Sequence, residues 1–286
     1  MNSRVAWVAD VGGTSVRLAV ITPDGSIQAQ TVLPTASLPD PPATWDAMIQ
    51  RWRELDGAGS PVGTAIGLPA QLADDGLIRY IPNIPGWVAS NPVVSIGDAL
   101  GRPAHVVQDG QAALLGERWL GHNVPPSFYF LAIGTGIGGA YQIDGHPARG
   151  AHNLAGVPAV AGRVENVASG RAVAAALSVA TGHEAVALAR RGDPAAVAVF
   201  ALVAEALQET LGVVTGLLDV SEVRIGGGFG VAAFDLLFPS PQLVPRVRTY
   251  PPIHDDVRIR PADTGSQAQL FGLAAAVFQP EVCFCT

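Results

Sequence analysis

The chain has 286 residues, 49% of them hydrophobic, and a formal net charge of −7 at pH 7. This length allows two modest domains or one large one, with a sizeable core. A negative net charge without a basic patch argues against a nucleic-acid-binding protein, and no run of about 18 uninterrupted apolar residues predicts a membrane span. All 17 basic residues are arginines, which excludes a lysine-based phosphate loop or Schiff base.

The first predicted elements are two strands, at 5–9 and 15–20, separated by a Gly/Thr turn. Two glycines and a hydroxyl in a tight turn expose backbone N–H groups that can cradle phosphate. A carboxylate at the strand end can hold a hydrated Mg²⁺. The residues predicted to bind phosphate here are Asp10, Gly12, Gly13 and Thr14. Arg17 could add positive charge near the phosphates, although an outward arginine in a salt bridge is the more common use.

The rest of the first half alternates helix and strand patterns, which indicates an α/β protein. A helix is predicted at 43–55, and buried strands at 62–67 and 104–107. The loop at 80–87 carries Asn83, whose carboxamide can bind neighbouring hydroxyls as both donor and acceptor. Trp87 in the same loop could flank a sugar ring or belong to the core.

Asp109 directly follows a predicted strand and begins a helix at about 110–120. As a helix N-cap it would have only a structural role. As a general base it would take the proton of a substrate hydroxyl that attacks a γ-phosphate. The two interpretations are compatible, and the spacing does not choose between them.

The second half begins with a similar pattern, in which an apolar run at 128–133 leads into a glycine-rich turn and a strand at 140–143. Helices are predicted at 165–180, 183–191 and 194–218, and a strand at 223–225 leads into a third glycine-rich turn. Glu165, at a helix start, is a favourable charge for a helix N-terminus. The residues predicted to contact the nucleotide in these turns are Gly134, Thr135, Gly136, Gly226, Gly227 and Gly228.

One glycine-rich turn is weak evidence of a site, because glycine also marks hairpins and bulges. Three such turns after apolar strands favour a nucleotide site, with two lobes facing one polyphosphate. We expect an N-terminal lobe at 1–112 and a C-terminal lobe at 113–286. The last predicted helix, at 266–278, can pack back on the first lobe.

These motifs, in this order, resemble the ROK family of sugar kinases and sugar-responsive repressors, relatives of bacterial glucokinase, over nearly the whole chain. The segments that carry the resemblance are Asp10–Thr14 with Arg17, Ile66–Ala70, Pro82–Trp87, Gln108–Ala112 with Gly116 and Glu117, Gly134–Gly139, Glu165 with Ala168–Gly170, and Gly226–Gly228.

The resemblance implies a two-lobe actin-like ATPase fold (sugar kinase/ribonuclease H-like). It implies a kinase that uses ATP and Mg²⁺ to phosphorylate the primary hydroxyl of a hexose-like acceptor. Asp109 would be the catalytic base, Asn83, Gln108 and Glu165 would bind the acceptor with it, and Asp10 would hold Mg²⁺ through water. From its charge and composition we expect a cytoplasmic protein with no membrane or nucleic-acid partner, and in the family that it resembles homodimers are common.

The chain departs from the family pattern at one edge of the sugar pocket. The cysteines of the family's zinc site are missing from 157–164, so no structural zinc is expected, and Val157 and Val160 replace a sugar-binding Glu and a His. Valine cannot bond a hydroxyl, which favours a C7-cyclitol or another non-standard sugar as acceptor. The alternatives are a true glucokinase, another hexose or N-acetylhexosamine kinase, and a non-catalytic sugar sensor. Sensors of the family carry a helix-turn-helix module, which we do not expect here because four residues precede the first predicted strand.

Overall fold

A computed structural model describes residues 4–55, 59–73, 75–81, 84–148, 154–159, 162–239 and 257–282. The chain divides into two compact units. Unit 1 comprises Met1–Gly121 and Gln267–Thr286, and unit 2 comprises His122–Ser266. Unit 1 therefore extends past the expected boundary at 112, and it takes back the C-terminal segment of the chain.

Among its described residues, the first segment of unit 1 contains seven strands and three α-helices. They are β1 Ala6–Val11, β2 Ser15–Ile21, β3 Ile27–Pro34, α1 Ala43–Arg53, β4 Gly63–Leu68, β5 Gln71–Leu72, β6 Ile78–Tyr80, α2 Pro92–Leu100, β7 Ala104–Gln108 and α3 Asp109–Leu120.

Unit 2 follows, and the chain then returns to unit 1. The elements of unit 2 are β8 Phe128–Ile133, β9 Ile137–Ile143, β10 His146–Pro147, β11 Pro158–Ala159, β12 Gly162–Arg163, α4 Val164–Ala168, α5 Gly170–Ala176, α6 Gly182–Arg190, α7 Pro194–Leu218, β13 Glu222–Gly226, α8 Gly228–Ala232, α9 Phe234–Leu237 and β14 Arg258–Pro261. The returning helix is α10, Ala268–Phe278.

Each unit is built on a five-stranded mixed sheet, and the two sheets share one plan. The strand order is β3-β2-β1-β4-β7 in unit 1 and β10-β9-β8-β13-β14 in unit 2. In both sheets the first three strands are antiparallel and the last two run parallel to the central strand. Each central strand therefore ends in a Gly/Thr turn, at the edge where its parallel neighbours also end.

The sheet of unit 1 is covered on both faces, because alternate residues of a strand point to opposite sides. Trp7 and Ala9 of β1 pack with α1, where the rings of Trp7 and Trp52 are stacked at 5.7 Å between centroids. Ala6 and Val8 pack in a second cluster with residues of α3 and α10. The core of unit 2 is formed by β8, β13 and the helices α4 to α7.

Helices α3 and α10 cross in unit 1 at a contact that only glycine allows. A Cβ atom built on Gly272 would collide with the carbonyl oxygen of Ala112, and one on Gly116 with that of Ala268. The two backbones are therefore in direct contact. The C-terminal helix thus supports the helix that begins at Asp109.

A buried arginine joins the first and last segments of unit 2. Arg224 of β13 has a fully buried side chain and donates to Glu222 Oε1 at 2.7 Å and Asp263 Oδ2 at 2.9 Å. It also donates to the carbonyl oxygens of His122 and Asn123, both at 3.0 Å. Burial alone would raise the pKa of Asp263, but the His122 N–H and the Arg224 charge outweigh it and hold that pKa below its ordinary value. Asp263 therefore stays ionised at neutral pH.

Helix α7 is long and apolar enough to cross a membrane by composition alone. One face of it lies in the core of unit 2, through Phe200, Val203, Leu207 and Leu211. We conclude that α7 is a partly buried core helix, as the sequence predicts.

Several elements of these units are not predicted from the sequence, among them β3, α2 and β14. Strand β3 alternates half-buried and exposed residues at the edge of the sheet, so it lacks a continuous apolar run. Helix α2 begins at a proline and is capped by Asn91, which accepts a hydrogen bond from the Val94 N–H.

The helix predicted at 165–180 was wrong, because the chain breaks it into α4 and α5. Ser169 between them is extended, with φ −73° and ψ 154°, and its hydroxyl accepts a hydrogen bond from the Ala172 N–H at 3.2 Å. Local capping by serine competes with helix continuation. This break has a role in the candidate site.

Candidate active site

The first Gly/Thr turn joins β1 to β2 and is closed by hydrogen bonds. The Gly12 N–H donates to the Ser15 carbonyl at 2.9 Å, and the Thr35 hydroxyl donates to the Gly12 carbonyl at 2.7 Å. Within the described part of the chain, the amides of Gly13 and Thr14 have no hydrogen-bond partner. Two adjacent unpaired amides in an exposed turn suit an anion.

Asp10 lies beside this turn and is paired with Arg17, its neighbour across the β1–β2 ladder. Both Nε and Nη2 of Arg17 donate to Asp10 Oδ2, at 3.0 and 2.7 Å. The Arg17 side chain is only 21% exposed. It is therefore a salt-bridging arginine, but one that points inward to Asp10 rather than outward.

The sheet register places Asp109 at the same edge as Asp10. Asp10 lies opposite Gly67 in the β1–β4 pair, and Leu68 lies opposite Gln108 in the β4–β7 pair. All three strands are parallel, so their carboxyl ends meet at one edge, which is where ligands bind in open α/β sheets.

The interpretation of Asp109 as an N-cap was wrong, because Gln108 is the cap of α3. Gln108 has the extended backbone of a cap, and its Oε1 accepts from the Gln111 N–H at 3.0 Å. Asp109 is the first helical residue, and its Oδ1 accepts from the Gly110 N–H at 2.7 Å and from Gln108 Nε2. Gln108, predicted to bind the acceptor, here orients the Asp109 carboxylate.

The second Gly/Thr turn, in unit 2, is held at two points by the segment that contains the α4–α5 break. Glu165 Oε2 accepts from the Ile137 N–H at 3.0 Å, and the Gly170 N–H donates to the Gly134 carbonyl at 2.8 Å. The turn is closed by Gly134 N–H to the Gly136 carbonyl, at 2.8 Å. Among the described residues, the amides of Thr135 and Gly136 have no partner.

Glu165 therefore has a role in the turn that the sequence did not reveal. Its carboxylate is 29% exposed, and its second oxygen lies 3.4 Å from Arg171 Nη2. No local pattern links Glu165 to Ile137, because they are 28 residues apart.

The third glycine-rich turn packs against the end of β8. Gly227 has φ +79°, and a Cβ there would lie 2.5 Å from the Ile133 carbonyl oxygen. Glycine is required for both reasons. Because Gly134 follows Ile133, the second and third turns are brought together within unit 2.

The loop at 80–87, which carries the predicted acceptor contact, is described except at residues 82 and 83. Asn83 and Val160 lie outside the described residues. Trp87 is buried and packs edge-on against Trp45, with ring centroids 4.9 Å apart, so it belongs to the core. Val157 is half-buried and packs against the core of unit 2. Its carbonyl accepts from the Val164 N–H at 3.0 Å, one residue before Glu165.

The comparisons with known proteins agree with this fold. A sequence model of the ROK family matches residues 7–158 and 159–280. An N-acetylmannosamine kinase from Escherichia coli (strain 55989 / EAEC) is 28% identical over 242 residues, which cover 78% of this chain and 82% of that protein.

Two crystal structures share the fold. A ROK family glucokinase from Streptomyces griseus, in complex with glucose and AMPPNP, matches with a TM-score of 0.79 and 23% identity over 94% of this chain and 98% of that one. A ROK family protein from Streptococcus pneumoniae, in complex with sucrose, matches with a TM-score of 0.77 and 21% identity over 97% of this chain and 99% of that one.

These matches confirm the predicted α/β class and actin-like ATPase fold. The family match covers nearly all of the chain and confirms the predicted enzyme class, a phosphotransferase with an alcohol group as acceptor. The chain therefore belongs to the ROK family and is a kinase of that family.

Proposed function

We propose that the protein uses ATP to phosphorylate the primary hydroxyl of a hexose-like acceptor, and that this acceptor is a C7-cyclitol or another non-standard sugar. The observation that carries the kinase assignment is the pair of Gly/Thr turns. Each leaves two adjacent amides unpaired among the described residues, Gly13 and Thr14 in one and Thr135 and Gly136 in the other. In a chain without lysine, backbone amides are the donors best suited to polyphosphate.

Asp10 is suited to Mg²⁺. Its Oδ2 accepts from Nε and Nη2 of Arg17, whereas Oδ1 has no hydrogen-bond partner in the described part of the chain. One open carboxylate oxygen fits a cation that keeps most of its waters. When bound, Mg²⁺ would neutralise charge on the phosphate oxygens. The third turn, Gly226–Gly228, would support the nucleoside.

Asp109 is proposed as the general base. The acceptor oxygen would attack the γ-phosphorus while its proton passes to the Asp109 carboxylate, and the bond to the ADP oxygen would break. The hydrogen bonds of Gly110 and Gln108 to Oδ1 fix the carboxylate. A fixed base loses little freedom on reaching the transition state.

The acceptor preference rests on Val157. Where the family pattern has a glutamate, this half-buried aliphatic side chain packs into an apolar core. A sugar hydroxyl left buried without a partner costs about 1–3 kcal/mol. A carbocycle with a hydroxymethyl group has neither a ring oxygen nor an anomeric hydroxyl, so it avoids part of that cost. Asn83 and Glu165 are the proposed polar contacts to the acceptor.

A second candidate is an N-acetylhexosamine kinase. It is supported by the similarity to the Escherichia coli N-acetylmannosamine kinase, at 28% identity. An apolar edge also suits the methyl group of an N-acetyl substituent.

The test is ADP release from ATP and Mg²⁺ by the purified protein, over glucose, mannose, N-acetylmannosamine, N-acetylglucosamine and hydroxymethyl cyclitols. We expect kcat/KM for a cyclitol to exceed that for glucose about 10-fold or more, the scale of one unpaired hydroxyl. Equal values for glucose and the cyclitols would contradict the cyclitol proposal. Turnover of N-acetylmannosamine alone would establish the second candidate instead.

The variant Val157→Glu tests the residue itself, with Val157→Ile as the matched control. Restoring the carboxylate should raise kcat/KM for glucose relative to the cyclitol, whereas the isoleucine should leave the ratio within about twofold, because it adds no hydrogen-bond acceptor. An unchanged ratio in Val157→Glu would show that this position does not select the acceptor.

A further inference from the structure

The guanidinium of Arg17 contacts two glutamines from the far end of the chain. Arg17 Nη1 lies 3.4 Å from Gln267 Oε1, and Nη2 lies 3.1 Å from Gln269 Oε1. Gln267 ends the short 3₁₀ turn before α10, and Gln269 is in the first turn of that helix. Both belong to unit 1, as do Arg17 and Asp10.

We propose that Gln267 and Gln269 are positioning residues for the Asp10 carboxylate, acting through Arg17. This inference rests on the proposed function, in which Asp10 holds hydrated Mg²⁺. The glutamine oxygens accept from both terminal nitrogens of Arg17, and Nε and Nη2 of Arg17 bind Asp10 Oδ2. The planar guanidinium is thus held from both sides.

Fixing Oδ2 in this way determines where Oδ1 lies. Oδ1 faces Gly67 on the strand next to β1, where an added Cβ atom would lie 3.6 Å from it. If Arg17 were released, the carboxylate could rotate and present either oxygen. Partners one step removed from a metal commonly set its affinity in this way.

The helix that follows Gln267 and contains Gln269 is itself closely packed. This helix, α10, is in backbone contact with α3 through Gly272 and Gly116. Helix α10 therefore contacts both α3, which begins at Asp109, and Arg17, which binds Asp10. The two proposed functional carboxylates of unit 1 share one anchoring element.

The test uses the full chain and the double variant Gln267→Leu/Gln269→Leu, which keeps side-chain size but removes both acceptor oxygens. The probe is Mn²⁺ titrated in the presence of AMPPNP and without an acceptor, followed by electron paramagnetic resonance. We expect Mn²⁺ affinity to fall about 10-fold, as for other partners one step from a metal, and acceptor KM to stay within about twofold.

Two further variants separate positioning from simple stability. Gln269→Glu keeps an acceptor oxygen for Arg17 and should retain wild-type Mn²⁺ affinity. Gln50→Leu, an exposed glutamine on α1, controls for the change from glutamine to leucine. Melting temperature of each apo variant is measured in parallel.

The inference is overturned if the double variant binds Mn²⁺ as the wild type does, or if Gln269→Glu loses as much affinity as the double variant. It is also overturned if Gln50→Leu shows the same loss. Failure of the wild type to bind Mn²⁺ with AMPPNP would overturn the metal role of Asp10, and with it this inference. That result concerns the wild type alone, so it can be told apart from a loss of Mn²⁺ affinity seen only in the glutamine variants.

Discussion

At the scale of single residues, each proposed functional carboxylate is held in place by its neighbours within its own unit. Asp109 is fixed by Gln108 and Gly110, Asp10 by Arg17, and Glu165 by the Ile137 amide. A fixed carboxylate has fewer orientations to lose when a ligand binds. The motif residues were visible in the sequence, whereas partners such as Gln269 were not, because they lie up to 252 positions away.

Asp109→Asn tests the proposed base without disturbing its surroundings. Asparagine can still accept from the Gly110 N–H through its side-chain oxygen, but it cannot take a proton. We expect kcat to fall about 100-fold or more, the scale of general-base loss, with nucleotide affinity retained. Steady-state kinetics and calorimetry with AMPPNP measure the two effects.

Asp98→Asn is the control, because Asp98 is an exposed aspartate on α2 of the same unit. It should leave kcat unchanged. Turnover by Asp109→Asn at the wild-type rate would rule out Asp109 as the base.

At the scale of elements, short contacts between distant segments decide the architecture. The pattern of apolar residues was enough to predict β1, β8 and α7, because each carries a long apolar run or a clear helical period. It could not reveal that α4 and α5 are separate, since Ser169 fits a helix as well as a cap. Nor could it show that α3 and α10 touch backbone to backbone.

Replacing the glycine at the α3–α10 crossing should destabilise the protein, whereas replacing a glycine elsewhere in a helix should not. Gly272→Ala places a methyl group where the Ala112 carbonyl lies, and overpacking of this kind costs about 1–3 kcal/mol. Gly97→Ala in α2 meets its nearest atom, the Arg102 carbonyl oxygen, only at 3.5 Å. It should therefore stabilise the protein by up to about 1 kcal/mol, since alanine is the better helix former.

Urea unfolding of both variants measures the difference. Equal effects of the two substitutions, in sign and size, would mean that the crossing can relax. Helices α3 and α10 could then move apart enough to accept a methyl group at Gly272.

At the scale of the whole molecule, both units repeat one sheet plan with a Gly/Thr turn at the same point. The paired turns were predictable because each turn follows its own apolar strand. The residues that would contact the acceptor were harder to predict, because they lie in loops whose sequence has no periodic pattern. Val157 was singled out only because the family pattern has a glutamate at that position.

The pH dependence of stability is a property of the folded chain as a whole, and His105 contributes to it. Burial lowers the pKa of this half-buried histidine on β7 below its ordinary 6.5. As pH falls, the unfolded chain binds the proton first. The free energy of unfolding therefore decreases from above pH 6.5 down through the folded pKa.

Replacing the histidine by glutamine, His105→Gln, should make this decrease shallower. The comparison is urea unfolding of both proteins at about pH 7.5 and about pH 5.5. Identical losses in the two proteins would show that His105 does not contribute.

The buried Arg224 cluster has a consequence for how such a chain is organised. The polypeptide leaves unit 1 once and rejoins it once, and a single side chain ties the outgoing carbonyls of His122 and Asn123 to the returning Asp263. A domain whose two ends are held together by its own contacts can be inserted into another domain without separating the strands of that domain. Unit 2 is such a domain, inserted into the chain of unit 1. We therefore expect insertions in the loops of unit 2 to leave unchanged the positions at which the chain leaves and rejoins unit 1.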